Sequence, residues 1–398
     1  MRRGDFIVVQ SGMAEGDVCK LRLESIAPLG DAIGRIEGKT VFVEGGAPQE
    51  TVLCRITGEH RTWARAQLLE IIEPSPARVE KTCAFYGKCG GCNLQHIDYD
   101  AQLAAKASIL TEHFTTIGGF VPPKPEVVAS PPWEYRNRVQ FHCLRQKAKS
   151  EGPSYGLKGR GSGEIIAVSD CPVASAGIRE LLRTGGKLPM PPEKDRFTVF
   201  SAGELFLSEG GVERGKIKLL EKEITVDASV FFQSNIVMLE KLIAELRFCC
   251  SAKQDAPMAD LYCGVGTFAL FLGTRYAKTI LAEENKRAVA IARENLKGMN
   301  TEFFALRDTE WERAILRRSA DFSFAVVDPP RAGLALKLAH AMAHNGPSVL
   351  AYVSCDSASL ARDSAILTSG GYQLDKLTLF DFYPQTSHIE TLAVFKIQ

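Results

Sequence analysis

The chain has 398 residues, of which 45% are apolar and 24% charged, and its net charge is +1. This length predicts two or three globular domains. Because the net charge is close to zero, composition alone does not indicate nucleic-acid binding. Such binding would have to be indicated by basic residues clustered in one part of the chain. No apolar run reaches the roughly 18 residues of a membrane helix. Because residues 1–5 also lead into few apolar residues, we expect a cytoplasmic protein without a secretory signal or a membrane partner.

Residues 14–73 are predicted to form a small β-barrel. Short apolar runs alternate with glycine-containing turns, which is typical of barrel strands. The predicted strands are residues 18–23, 40–43, 51–56 and 66–72. Trp63 lies among Arg55, Arg61 and Arg65, and a basic patch with an aromatic residue suits RNA backbone contact with base stacking. Because acidic residues outnumber basic ones in this segment, a solvated barrel face is the alternative.

The next feature is a run of three cysteines in the pattern Cys-x5-Cys-Gly-Gly-Cys, at Cys83, Cys89 and Cys92. This spacing lets three thiolates turn toward one centre, and a closed zinc site or iron–sulfur cluster needs a fourth. Cys171, which precedes a proline, is the best fourth candidate, and Cys143 is the second. Spacing does not identify the metal, so zinc and iron–sulfur both stay open here, with three buried thiols as the remaining alternative.

Residues 94–227 are predicted to form a mixed region. Residues 94–117 have apolar residues at helical spacing and end at two glycines, a natural helix stop. Residues 118–133 form a proline-rich connector, and residues 196–227 further short strands. Between them, residues 133–160 form a basic stripe in which basic residues outnumber acidic ones. The basic residues are Arg136, Arg138, Arg145, Lys147, Lys149, Lys158 and Arg160, and the acidic ones are Glu134 and Glu151. Since Tyr135 and Tyr155 lie among these bases, the stripe favours RNA contact over a solvated hairpin.

From about residue 228 the pattern alternates between strand and helix, which predicts a parallel sheet. Residues 259–268 give a strand end, a glycine loop and a helix start, where the backbone can approach a ligand closely. Glu283 ends the second predicted strand, where an acid can bond both ribose hydroxyls of a nucleoside. Without a phosphate-binding loop, S-adenosylmethionine is the natural ligand. The alternative for Glu283 alone is an exposed acid before a helix.

Three polar residues lie next to later predicted strands. Asp328, in Asp-Pro-Pro-Arg, and Cys355, in Val-Ser-Cys-Asp, each follow a strand, and Glu390 precedes the last strand. Each residue considered alone has an ordinary alternative interpretation. Cys355 would be a small buried residue at the end of a strand, and Glu390 would be a solvated acid at a turn. Together they suit methylation of C5 of a pyrimidine, in which a thiolate adds to C6 and a base removes the C5 proton. We therefore expect Cys355 to have a depressed pKa or an activating contact. Arg331 stands where amine methyltransferases place a stacking aromatic residue, which argues against amine methylation.

The motifs quoted above, with Asp-Leu-Tyr-Cys-Gly-Val-Gly-Thr-Phe and Gln-Thr-Ser-His-Ile-Glu, stand in the order of the RNA (uracil-5-)-methyltransferase family. The chain resembles this family over essentially its whole length, and residues 14–73 resemble the TRAM domain. The resemblance implies an α/β fold with a Rossmann-like methyltransferase domain at 228–398. It also implies a TRAM barrel at 1–75 and a central domain at 76–227.

The same resemblance implies a role for individual residues. Cys355 would be the nucleophile and Glu390 the general base. A [4Fe-4S] cluster would be held by Cys83, Cys89, Cys92 and Cys171. S-adenosylmethionine would be bound by Gln233, Tyr262, Glu283 and Asp328, with Asp308 as a weaker candidate.

The resemblance also predicts the substrate class. Having both a TRAM domain and a cluster is most similar to the 23S ribosomal RNA branch, with transfer RNA as the alternative substrate. A cytosine-C5 or amine enzyme is a further alternative, although cytosine enzymes usually place proline where Ser354 stands. The target uridine would have to leave its stack, because buried base atoms are unreachable in a helix. We expect a monomer that binds RNA.

Overall fold

The computed structural model divides the chain into two units, Met1–Ile109 with Pro384–His388, and Leu110–Tyr383 with Ile389–Gln398. It describes residues 14–144, 155–186, 188, 194–250, 255–314 and 322–397. Within these ranges, no helix combines the length and the apolar character that crossing a bilayer requires.

The first unit contains a closed five-stranded barrel. Its strands are β1 (Val18–Ile26), β2 (Ala32–Ile36), β3 (Lys39–Glu44), β4 (Thr51–Glu59) and β5 (Trp63–Glu73), in the order β1-β2-β3-β5-β4. The four predicted strands are confirmed, and β2 was missed because Gly34 and Arg35 interrupt its apolar pattern. A Cβ at Gly34 would lie 2.6 Å from the Arg22 carbonyl oxygen, so glycine is needed for the two strands to approach.

The helix predicted for residues 94–117 is shorter than expected. It is α1 (Tyr99–Thr116), and it begins where Asp98 Oδ1 accepts a hydrogen bond from the Ala101 N–H at 3.1 Å. A capping carboxylate of this kind satisfies an N–H group that the first helical turn leaves without a partner. Residues 94–97 precede the cap and are not helical. The predicted stop is confirmed, since the Gly118 N–H bonds back to the His113 carbonyl.

The second unit contains three sheets. Its strands are β6 (Glu126–Val128), β7 (Arg138–Cys143), β8 (Tyr155–Lys158), β9 (Ile165–Ile166), β10 (Arg196–Ala202), β11 (Leu205–Ser208), β12 (Arg214–Leu219), β13 (Lys222–Asp227), β14 (Met258–Leu261), β15 (Thr279–Ala282), β16 (Thr301–Phe304), β17 (Phe324–Val327), β18 (Val349–Ser354), β19 (Tyr372–Phe380) and β20 (Glu390–Ile397). The largest sheet has the order β16-β15-β14-β17-β18-β20-β19-β6. The others are β11-β10-β7-β8-β9 and the hairpin β12-β13.

Helices alternate with the strands of the largest sheet, as predicted. One helix, α2 (Ala176–Thr184), lies between β9 and β10 of the five-stranded sheet. The helices that alternate with strands of the largest sheet are α3 (Ile236–Cys249), α4 (Thr267–Leu272), α5 (Lys286–Asn295), α6 (Asp308–Ala314), α7 (Leu336–Asn345) and α8 (Ser357–Ser369). Neighbouring strands from β16 to β18 are parallel, and β20 is antiparallel to both of its neighbours. Every residue of β14, β17 and β18 is buried, as the inner strands of such a sheet require.

Two expectations for the region before this sheet need correction. The proline-rich connector contains β6, which pairs parallel with β19 through Val127 and Leu379. In the basic stripe, Tyr135 and Tyr155 are only 4% and 2% exposed. They are therefore core residues that cannot stack on bases, because their apolar rings pack inside the unit. Of the stripe, Arg145, Lys147, Lys149 and Glu151 lie outside the described residues.

Candidate active site

The candidate site lies at the carboxyl edge of the large sheet. Strands β15, β14, β17 and β18 are parallel neighbours, so their carboxyl ends meet at one edge. In open α/β sheets, ligands bind at this edge, where the strand order reverses. Here the order reverses beside β14, since β15 lies on one side of it and β17 on the other. The residues that follow these strands include Glu283, Tyr262, Asp328 and Cys355.

The loop after β14 has a backbone that only a few residue types adopt easily. Gly264 and Gly266 have φ of 52° and 81°, and Tyr262, with a side chain, has φ of 62°. A Cβ at Gly266 would lie 3.1 Å from the Leu296 Cδ1 atom, so the loop also packs closely against the chain behind it. A left-handed, non-glycine residue is costly and is concentrated at functional sites. The loop is therefore shaped for close approach of a ligand to the backbone.

Two acidic residues predicted for the cofactor pocket contact this loop. Glu283 Oε2 accepts a hydrogen bond from the Gly264 N–H at 3.2 Å, and its Oε1 accepts one from the Asn285 N–H at 2.8 Å. Asp308 Oδ2 accepts a hydrogen bond from the Tyr262 hydroxyl at 3.1 Å. A carboxylate has about four acceptor sites, so Glu283 retains capacity for ribose hydroxyls. The structure thus brings Glu283 and Asp308, two of the predicted site residues, into contact with the loop after β14.

Gln233 and Asp328 also lie together. Gln233 Nε2 donates to Asp328 Oδ2 at 3.4 Å, while Gln233 Oε1 is buried and has no hydrogen-bond partner among the described residues. Burial raises the pKa of Asp328 to about 7, although the bond from Gln233 opposes the shift. A buried acceptor of this kind is rare in a finished core and marks a place for a ligand donor. These residues fit a polar ligand at the edge of β17.

The corner that carries Cys355 is rigid. Ser354 Oγ donates to the Asp356 carbonyl at 2.9 Å and accepts from the Asp356 N–H at 3.2 Å. Asp356 Oδ1 then caps α8 by accepting from the Ser359 N–H at 2.8 Å. Because the residues on both sides are bonded, the direction of the Cys355 side chain is defined by the fold.

Glu390 is brought to Cys355 by the antiparallel pairing of β18 and β20. Ser354 pairs with Thr391, so the next residues on each strand in the same register are Cys355 and Glu390. Since β20 is antiparallel, its first residue lies at the carboxyl edge of the parallel strands. Glu390 is 3% exposed, and the reading of it as a solvated acid at a turn is therefore wrong.

The electrostatics of the pair differ from expectation. Burial, with the charges of Glu390 and Asp328, raises the pKa of the Cys355 thiol to about 12, and Arg331 opposes the shift. Burial, followed by the Asp328 charge, also holds the pKa of Glu390 well above its usual range. The expectation of a depressed cysteine pKa is wrong for the protein without ligand, because low dielectric and two carboxylates both disfavour the thiolate.

The raised pKa of Cys355 predicts how this thiol reacts with iodoacetamide in the protein without ligand. Only the thiolate is alkylated, and below a raised pKa its fraction rises about tenfold per pH unit. We expect slow alkylation of Cys355 at pH 7 and a rate that climbs about tenfold per unit up to pH 9. Mass spectrometry of the Cys355 peptide measures the rate, with glutathione as the reference thiol. A rate that levels off below pH 8 would contradict the raised pKa.

Tyr383 is a residue of this site that the sequence did not single out. Burial raises the pKa of its phenol, Glu390 and Cys355 add to the shift, and a hydrogen bond with Ser234 opposes it. The only signal in the sequence is its position directly before Pro384-Gln385-Thr386. Its influence on the site depends on contacts with distant parts of the chain, which local patterns do not contain.

The predicted metal ligands belong to two units of the chain. Cys83, Cys89 and Cys92 belong to the first unit and Cys171 to the second, as does the alternative ligand, Cys143. The Gly91 N–H points at Cys89 Sγ at 3.4 Å, a contact that suits a thiolate. Over the described ranges, however, no three His, Cys, Asp or Glu side chains are arranged to hold a metal ion. Neither zinc nor an iron–sulfur cluster is therefore shown.

Comparison with known proteins places the chain in a family. Residues 215–397 match the tRNA (uracil-5-)-methyltransferase family model, and residues 14–69 match the TRAM domain model. The chain is 33% identical to an uncharacterised RNA methyltransferase of Treponema denticola, over 90% of this chain and 94% of that protein. It is 29% identical to the 23S rRNA (uracil(1939)-C(5))-methyltransferase RlmD of Pseudomonas fluorescens, over 95% and 94%.

A solved structure shows the same fold. It is the Pyrococcus abyssi tRNA (uracil-54, C5)-methyltransferase in complex with S-adenosyl-L-homocysteine, with a TM-score of 0.73 and 23% identity, over 94% of this chain and 100% of that one. The large sheet is thus the sheet of an S-adenosylmethionine-dependent methyltransferase fold, and the five-stranded barrel is a TRAM domain. The chain belongs to the RNA (uracil-5-)-methyltransferase family.

Proposed function

We propose that this enzyme methylates C5 of one uridine in 23S ribosomal RNA, with S-adenosylmethionine as the methyl donor. The observation that carries the chemistry is the strand register that pairs Ser354 with Thr391, the residues directly beside Cys355 and Glu390, together with the effect of the Glu390 charge on the Cys355 thiol. The RlmD proteins that match nearly the whole chain support ribosomal RNA as the substrate. A nucleoside-containing donor is supported by the polar groups that follow the strands at this edge, Tyr262, Glu283 and Asp328, and by Gln233 and Asp308, which bond to two of them.

The proposed reaction begins with covalent attachment. Cys355 loses its proton to Asp328, whose pKa of about 7 suits it as an acceptor near neutral pH. Cys355 Sγ then bonds to C6 of the uracil, and the ring carries the charge as an enolate over O4 and C5. Arg331 favours the thiolate that this step needs.

The methyl group is then added and the enzyme released. When bound, S-adenosylmethionine supplies an electrophilic methyl group, which C5 of the ring attacks. Glu390 removes the remaining C5 proton, and the C6–S bond breaks to restore the Cys355 thiolate. Burial raises the pKa of Glu390, which favours its neutral form in the protein without ligand, and once ionised the carboxylate is a stronger base than an exposed one.

The substrate assignment is tested by mapping the product. The enzyme is incubated with unmodified 23S ribosomal RNA and with transfer RNA transcripts, each with labelled S-adenosylmethionine, and the RNA is digested to nucleosides. We expect labelled 5-methyluridine at one position of the 23S RNA, and no label when that RNA is already methylated. Label in transfer RNA alone would move the assignment to the alternative substrate. Recovery of 5-methylcytidine would contradict uracil chemistry.

We also propose a [4Fe-4S] cluster on Cys83, Cys89, Cys92 and Cys171. This rests on the cysteine spacing and on the resemblance, since the described residues form no such group. After anaerobic purification we expect about four iron and four sulfide per chain and a broad absorbance near 400 nm. The Cys89→Ala variant should lose both, whereas Cys249→Ala should keep them. One zinc per chain and no sulfide would identify the site as a zinc site.

A further inference from the structure

We propose that Gln102 and Asn93 are positioning residues for the general base, because they clamp the segment Pro384–His388 that leads directly into Glu390. The inference rests on the proposed role of Glu390 and adds to it the residues that hold the base in place. All the hydrogen bonds that carry it lie within the first unit, to which the segment belongs.

Gln102 forms a reciprocal pair with Gln385. Gln102 Oε1 accepts the Gln385 backbone N–H at 2.9 Å, and Gln102 Nε2 donates to Gln385 Oε1 at 3.0 Å. The same Nε2 also donates to the carbonyls of Ile97 at 2.8 Å and Leu94 at 3.2 Å. Gln102 is 1% exposed and Gln385 4%. A buried amide with both ends satisfied holds its partners in one geometry, because losing either bond leaves a buried polar group unpaired.

Asn93 holds the same segment two residues further on. Its Oδ1 accepts the Ser387 backbone N–H at 2.9 Å, and its Nδ2 donates to Ser387 Oγ at 3.1 Å and to the Leu29 carbonyl at 2.7 Å. The backbone N–H groups of Asn93 and Leu94 both donate to the Gln385 carbonyl, at 3.1 Å and 3.0 Å. The backbone N–H and carbonyl of Gln385 and the backbone N–H of Ser387 are therefore all bonded to residues 93, 94 and 102.

The segment needs such support because its backbone is unusual. Gln385 has φ of 66°, in the left-handed region that residues with side chains rarely adopt. Surrounding contacts have to hold such a conformation in place. On the other side of Asn93, a Cβ at Gly30 would lie 2.4 Å from Asn93 Nδ2, so glycine leaves the room that this side chain occupies. The clamp thus extends to the turn between β1 and β2.

The position of the clamp in the chain gives it a role in the reaction. Only Ile389 separates the segment from Glu390, the first residue of β20. Asn93 directly follows Cys92, so the cysteine motif joins the clamp in sequence. A general base works only when it is within hydrogen-bond reach of its proton, and a shift of about 1 Å can cost a hundredfold in rate. Loosening the clamp should therefore slow removal of the C5 proton more than the preceding methyl transfer.

The experiment compares Gln102→Met and Asn93→Leu with Glu50→Gln in the full-length enzyme. Met and Leu keep the approximate shape of the native side chains but form no hydrogen bonds. Glu50 is a control from the same unit, since it is buried and bonds to Ala47, Ser75 and Arg78. Each variant is mixed with 23S RNA and labelled S-adenosylmethionine, and the covalent protein–RNA adduct is followed over time on denaturing gels.

We expect first-turnover methyl transfer within about twofold of the wild type in both clamp variants, and an adduct lifetime about tenfold longer. Asn93→Asp keeps the acceptor for the Ser387 N–H and should give an intermediate lifetime. It also serves as the test if Gln102→Met fails to fold. A wild-type adduct lifetime in folded clamp variants would overturn the inference, and so would an equal lengthening in Glu50→Gln.

Glu390→Gln, run in parallel, separates the inference from the proposed function. If Glu390→Gln traps the adduct while the clamp variants do not, only the positioning role fails. If Glu390→Gln traps nothing, the assignment of the base fails and the clamp with it.

Discussion

The Glu390→Gln enzyme should remain covalently attached to its RNA after methyl transfer. The amide has the size of the carboxylate but cannot take the C5 proton, so the C6–S bond cannot break. Removing a general base typically slows its step by 10²–10⁴-fold. Since burial already favours the neutral form of Glu390, a neutral amide should be accepted by the fold. A denaturing gel with labelled S-adenosylmethionine should show a protein–RNA band that contains the methyl label.

The control for this result is Glu302→Gln, which changes an acid on β16 that pairs with Lys278. It should turn over like the wild type and leave no stable adduct. Normal release of methylated RNA by Glu390→Gln would exclude Glu390 as the base and direct attention to Asp328, another buried carboxyl group at this edge.

The Cys355→Ala enzyme should lose methyl transfer almost completely. Without addition to C6, C5 of uracil is too weak a nucleophile to attack a methyl group, so no other side chain of the site substitutes for the thiolate. Loss of a covalent nucleophile commonly costs about 10⁴-fold or more in rate. Transfer of label from S-adenosylmethionine to RNA under single-turnover conditions measures the loss. The double variant with Glu390→Gln should form no adduct.

Cys249→Ala is the matched control, because Cys249 is also a half-buried cysteine whose pKa is raised to about 12. Cys249 lies at the end of α3, so its replacement by alanine should leave the rate of methyl transfer unchanged. Full methyl transfer by Cys355→Ala would mean that the reaction does not pass through a covalent adduct. In that event the pairing of β18 with β20 would stabilise the sheet but would have no role in the reaction.

Local patterns were sufficient for the elements that carry the site. The run from residue 259 to 268 contains its own strand, turn and helix signals, so β14, the glycine loop and α4 could be predicted from it. The same holds for β18 with Cys355 after it. The last strand was also predicted, but β20 begins at Glu390, before the predicted start at Leu392. By contrast, β2 and β6 were missed because one is interrupted by Gly34 and the other is three residues long. Their pairing energy comes from strands elsewhere in the chain.

Burial and charge at the site were decided only by the tertiary structure. Cys355 was expected to have a depressed pKa or an activating contact, and desolvation with the charges of Glu390 and Asp328 raises its pKa, while Arg331 acts in the opposite direction. Glu390 could be read as a solvated acid until the antiparallel pairing with β18 placed it inside the sheet edge. The bonds between Asn93 and Ser387 join residues 294 positions apart.

The sequence by itself determined which chemical groups are available, since residue types and short-range patterns are local. Their pKa values and mutual positions depend on the dielectric and charges that distant segments supply, and only the folded chain brings those together.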